Sequence, residues 1–125
     1  MTFAKGPQWI AAAAAVLLVL VVADSLVPTS LQVRLGLHWL IEHFLAYFAV
    51  ALLFCLASRR PRIVAAVLMG VAGAMEALQG LTSDRIPDLA TGFCGAAGAL
   101  AGALTASLVT DLWQALRTSR RAQSS

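Results

Sequence analysis

Charge is what this sequence has least of. Asp, Glu, Lys and Arg make up 12% of its 125 residues, and only six residues are acidic. A soluble globular domain carries about 25% charged residues. Hydrophobic residues reach 60% and the mean hydropathy is +0.83. Together these values exclude a disordered chain, a collagen-like chain and an ordinary cytosolic enzyme. Cysteine is scarce as well: Cys55 and Cys94 are the two in the chain, and neither has metal-ligand spacing. No nucleophile-elbow, phosphate-loop or dinucleotide motif occurs. The net charge of +3 does not point to nucleic acid, because most basic residues sit at the ends of apolar segments instead of forming a patch. The length allows a single domain.

What is present is four long apolar segments, at about 9–27, 35–57, 63–81 and 89–109, followed by a polar, basic tail at 110–125. A membrane span needs about 17–25 apolar residues. The segments lack the alternation of a barrel, so helices are expected. The sequence therefore predicts one domain over residues 1–125, an all-α membrane protein built as a four-transmembrane-helix bundle. Basic residues orient it. Lys5, Arg59, Arg60, Arg62, Arg117, Arg120 and Arg121 fall on one side, seven in all, and Arg34 and Arg85 on the other. The positive-inside rule then places both termini in the cytoplasm. Met1–Ala23 also has signal-peptide character, with Lys5, an apolar core and the small-residue ending Val21-Val22-Ala23. The core continues into Leu26 and Val27 after the Asp24-Ser25 interruption, which favours a retained helix; cleavage would leave three spans in the same orientation. Cys55 and Cys94 then lie in opposite leaflets, where no disulfide is expected.

On this topology the polar residues converge on the outer ends of the helices. Asp24 ends the first segment, and Arg34, His38, Glu42, His43 and Tyr47 occupy the outer half of the second. Glu76 and Gln79 end the third, with Asp84, Arg85 and Asp88 just beyond. Read as helix, Arg34, His38 and Glu42 form an i, i+4, i+8 row, and His43 and Tyr47 an adjacent i, i+4 pair. Glu42 and Glu76 are expected level with each other, about 8 Å below the outer helix ends. An ionisable side chain at the centre of a span costs at least about 2.5–3.5 kcal/mol, so such residues face the interior and find partners. Glu76–Arg85 or Glu42–Arg85 are the expected pairs. The same residues can equally act as interhelical hydrogen-bonding groups with no chemistry, and Asp88 can serve as the N-cap of the fourth helix. Five acids against two arginines leave this cluster three charges negative, which suits a cation, an amine or a donor-rich headgroup better than a phosphate cradle. His38 and His43 are five residues apart and point in different directions, unlike the His-Glu-x-x-His zinc pattern. No metal and no cofactor is expected.

The fourth segment carries Gly92, Gly95, Gly98 and Gly102 among alanines, and Gly98-Ala-Leu-Ala-Gly102 matches the close-approach G-x-x-x-G pattern. Tight packing inside one bundle is the first expectation, and a homo-oligomer through this helix the second. Gly70 and Gly73 give the third segment a small face too. The arginines of the tail suggest an inner-leaflet anchor.

His43-Phe44-x-x-Tyr47-Phe48 resembles the His-Phe-x-x-Tyr signature of VanZ-like membrane proteins. Glu76-Ala-Leu-Gln79, then Arg85, Asp88 and Gly95, is similar to that family's later Glu-x-x-Gln…Arg…Asp…Gly block. The resemblance covers the whole chain. It departs at Trp39-Leu40, where the family often has Asp-Lys, and at Gly92, where it commonly has Asn. It implies a multi-pass protein of the bacterial cytoplasmic membrane with a cell-envelope role, linked through the founding member to resistance to the glycopeptide teicoplanin. The residues and the resemblance together suggest an outer-leaflet pocket lined by Glu42, His43, Glu76, Gln79, Arg85 and Asp88 that engages an envelope lipid or cell-wall precursor headgroup. Two alternatives are an intramembrane hydrolase or transferase using Glu76 or His43 as general base, and a non-catalytic scaffold docking through the fourth helix.

Overall fold

The computed structural model describes residues 6–82, 86 and 88–124. Four helices account for most of them: α1 (Gln8–Leu26), α2 (Trp39–Ser58), α3 (Pro61–Gln79) and α4 (Leu89–Gln123), with one 3₁₀ turn at Thr29–Leu31. All four are long and apolar enough to cross a membrane.

Local chemistry explains most of the helix ends. Arg59 closes α2 in the left-handed conformation, and its N–H donates to the Cys55 carbonyl at 2.8 Å. Pro61 opens α3 two residues later, after the N-cap Arg60, where its fixed φ suits a first turn and its missing N–H costs nothing. Two differences from the sequence-based boundaries stand out. The second segment does not become helical at 35. Gly36 has φ +81°, His38 is the N-cap, and α2 begins only at Trp39. The expected helical row of Arg34, His38 and Glu42 therefore does not exist. The fourth helix runs on to Gln123 instead of ending near 109. The basic tail is thus helical, and α4 is 35 residues long. At 1.5 Å per residue that is about 52 Å, against about 30 Å for each of the others.

α2 is the centre of the bundle. It packs on α4, α1 and α3, and α4 packs on α3; among the described residues α1 does not reach α4. The Gly6 N–H donates to the Ala57 carbonyl at 2.9 Å, so the start of α1 lies at the end of α2. The Arg59–Arg62 connection is at that same end, and α4 extends beyond the bundle from it. The opposite end collects the end of α1, the 27–38 segment, the start of α2, the end of α3 and the start of α4.

The core is made of small residues. Ala14, Ala51, Ala72, Ala99, Ala103 and Ala106 are buried, with Tyr47 and Val50 the largest side chains wholly enclosed. Large aliphatics such as Val16, Val19, Leu20, Leu104 and Leu108 point outward. Small residues inside with bulky apolar residues outside is how helices pack when lipid, not water, surrounds them. The glycines of α4 show how close this packing is. A Cβ on Gly98 would run into the Phe44 carbonyl, and one on Gly102 into the Phe48 carbonyl. Gly95 faces the Ala72 methyl at 3.1 Å and the Tyr47 ring at 3.2 Å from where its Cβ would stand. The G-x-x-x-G face is therefore filled by α2. Gly92 sits more loosely beside Glu76, and Gly70 and Gly73 have open space beside them, so the third helix's small face makes no such contact. Cys55 and Cys94 are free thiols.

Candidate functional site

At the end opposite the arginine-rich connection, a cleft of about 840 Å³ opens between α1, the 27–35 segment and α2, and reaches α3 and α4. Leu17, Leu20 and Val21 of α1 form an apolar wall. Asp24, Arg34, Glu42, His43, Glu76, Gln79 and Asp88 supply the polar surface. Two polar side chains near the end of α3 anchor its neighbours here. Gln79 Nε2 donates to the Ser25 carbonyl at 3.0 Å, tying α3 to α1. The Glu76 Oε1 accepts the backbone N–H of Asp88, tying α3 to α4. Asp88 Oδ1 in turn accepts from Ala90 N at 2.9 Å and caps α4. The N-cap reading of Asp88 thus describes its geometry, and its helix-end position also puts its carboxylate where it complements the helix dipole.

Glu42 lies in the first turn of α2. Its Oε1 accepts from Leu35 N at 2.8 Å and Leu37 N at 3.1 Å. Its Oε2 faces Arg34 Nε at 3.5 Å. Arg34 reaches Glu42 because the chain folds back at Gly36, not because the two share a helical face. Asp24 acts in the same way, with its Oδ1 accepting from Val33 N at 2.8 Å. Every described carboxylate at this end therefore accepts at least one backbone N–H from a loop or helix start. Near a bilayer such donors have few other partners, and leaving one buried and unpaired is costly. Glu42 and Glu76 each lie three residues from the helix end on this side and border the same cleft. The helices end at 39 and 79, so each lies about 4.5 Å, not 8 Å, inside its helix.

The other expected site residues divide. Glu42, His43, Glu76, Gln79 and Asp88 border the one cleft. Tyr47 does not border it. Tyr47 is completely buried in the core, with its ring 5.7 Å from that of His43 and tilted by 41°. Its hydroxyl has no hydrogen-bond partner among the described residues. Arg85 and Asp84, and with them the expected Glu76–Arg85 and Glu42–Arg85 pairs, lie outside the described residues. His38 is exposed. Its Nδ1 accepts from Leu40 N at 3.3 Å and its ring stacks on Trp39, so it caps α2 and takes no part in the cleft. Among the described residues, no three His, Cys, Asp or Glu side chains stand close enough to hold a metal ion.

Sequence reasoning passed over three participants. Ser25 is buried, its Oγ donates to Val21 O at 2.7 Å, and its carbonyl receives Gln79. Thr91 is buried one turn into α4 and borders the cleft. Gln32 donates from Nε2 to the Asp24 carbonyl at 3.1 Å. Polar residues interrupting or flanking apolar runs were the signal available for all three. A second, apolar cleft of about 400 Å³ lies between α3 and α4 beside Met69, Gly73, Leu89 and Phe93, and Glu76 borders both clefts.

This arrangement has the parts of a binding site: a polar rim, an apolar wall and carboxylates held by the backbone. Ser25 Oγ, one of the hydroxyls on its wall, donates to its own helix at the Val21 carbonyl. Compared with known proteins, the chain matches no family model, no curated protein and no solved structure.

Proposed function

We propose that this chain is a four-span protein of the bacterial cytoplasmic membrane, with both termini cytoplasmic, whose cleft binds the headgroup of an envelope lipid or lipid-linked cell-wall precursor in the outer leaflet. The observation that carries this reading is the cleft itself: about 840 Å³, apolar along α1 and polar where α2, α3 and α4 begin or end. An amphiphile needs both surfaces at once. The orientation rests on seven basic residues at one side against two at the other. The similarity of its His-Phe-x-x-Tyr and Glu-x-x-Gln segments to VanZ-like proteins supports the same assignment and suggests a link to glycopeptide resistance. The far end of α4 fits an interfacial anchor, with Arg117 stacked over Trp113 at 5.2 Å and Arg120 and Arg121 one turn on.

The test compares susceptibility to envelope antibiotics, teicoplanin included, in cells making the wild-type chain, Glu76→Gln or Gly98→Leu at equal membrane levels. Protection lost in Glu76→Gln supports the cleft. Protection lost only in Gly98→Leu transfers the function to helix packing or a partner. No protection by the wild-type chain removes the resistance link. A C-terminal alkaline phosphatase fusion should be inactive and a fluorescent protein fusion bright; the reverse would overturn the orientation.

A further inference from the structure

We infer that the cleft selects an amphiphile whose phosphate carries a primary ammonium group, the chemistry of an aminophospholipid. This rests on reading the cleft as a lipid site and names the lipid class it takes. Asp24, Glu42, Glu76 and Asp88 border the cleft, with Arg34 as the described cation. Among the described residues on the cleft, four acids against one arginine leave a formal balance of three negative charges, counting His43 as neutral.

Each of the four carboxylates already accepts a backbone N–H. Asp24 holds Val33, Glu42 holds Leu35, Leu37 and Arg34, and Asp88 caps α4. Glu76 differs. It is the buried one of the four, only 9% exposed; one oxygen accepts the Asp88 N–H, and Oε2, like the Oδ2 of the less buried Asp24 and Asp88, has no partner among the described residues. A buried carboxylate with an open oxygen on an apolar cleft calls for a cation that also donates hydrogen bonds. A primary ammonium carries three N–H donors and satisfies both needs. Arg34 supplies the complementary half. Its side chain is 52% exposed and engages Glu42 through Nε, which leaves the terminal nitrogens for a phosphate. The apolar α1 wall suits the acyl chains. A phospholipid without an amine would meet the same negative wall with Arg34 alone to welcome it.

The experiment uses the full chain in mixed micelles holding equimolar phosphatidylethanolamine and phosphatidylglycerol, with native mass spectrometry counting each lipid retained. The expected result is about a tenfold preference for phosphatidylethanolamine, the scale of one charge-assisted hydrogen-bonded contact. Glu76→Gln keeps an oxygen for Asp88 N–H and should bring the preference close to one. Arg34→Gln should lower retention of both lipids and leave the preference in place. Equal or better retention of phosphatidylglycerol by the wild-type chain overturns the amine assignment while the lipid-site reading stands. Retention of neither lipid above that of an unrelated four-span protein overturns both. The wild-type competition needs no variant, so the inference can be refuted even if Glu76→Gln fails to fold.

Discussion

The Glu76 carboxylate, three residues from the end of α3, accepts the backbone N–H of Asp88, the residue that caps α4. One side chain thereby fixes how the third helix hands over to the fourth, and it does so on the wall of the cleft. Structure and proposed recognition meet in this residue, and they can be separated by choice of substitution.

Glu76→Ala removes the acceptor and leaves the Asp88 N–H without its partner. It should destabilise the bundle by about 1–3 kcal/mol, the cost of an orphaned buried donor. Glu76→Gln retains an oxygen and should cost less. Unfolding in detergent, titrated with a denaturing detergent, measures both, and equal losses would show that the carboxylate's charge, not its acceptor oxygen, holds α4.

Gly98→Ala and Gly102→Ala each place a methyl group against an α2 carbonyl. Backbone cannot rotate away as a side chain can, so α4 must shift, at about 1–3 kcal/mol each. Gly70→Ala has open space and lies inside α3. It should be neutral or raise stability by up to about 1 kcal/mol through helix propensity. If all three variants unfold alike, α4 does not approach α2 as closely as described.

The Arg34–Glu42 pair is half exposed on the arginine side and 3.5 Å long, which limits its coupling to below about 1 kcal/mol. Glu42 also holds two loop N–H groups. Glu42→Ala should therefore cost more than Arg34→Ala, and a double-mutant cycle should return only the small pair term. A coupling well above that would place the pair in a drier setting than its exposure indicates.

Tyr47→Phe deletes a buried hydroxyl that lacks a partner among the described residues. Losing an unpaired polar group from a dry core is neutral or stabilising by about 1 kcal/mol. The variant should unfold at or above the wild-type midpoint. A drop of more than that amount would mean the hydroxyl is bonded within the folded chain.

Much of this protein was legible in its order of residues alone. Apolar runs of span length, broken by short polar connections, suffice for four helices, because a backbone in lipid must satisfy its own hydrogen bonds. Arg59-Arg60-Pro61 marks a turn, since proline opens a helix but cannot continue one. Glu42, His43, Glu76, Gln79 and Asp88 could be gathered at one end by counting residues from the connections. What residue order could not reveal depended on contacts distant in sequence. Hydropathy does not show that Gly36 adopts a positive φ and turns Arg34 back onto Glu42, because backbone conformation at one glycine leaves no mark on an apolar run that continues from Leu35 into α2. Nor does it show that α4 continues to Gln123, since a helix need not stop where its lipid-facing stretch does. The acids looked like one functional cluster in sequence. Tertiary structure gave each a backbone N–H to hold and, among the described residues, made Glu76 the buried carboxylate on the cleft. Composition and periodicity determine which segments become helices because those forces act locally. Which polar atom is satisfied and which remains open is decided only when the helices meet.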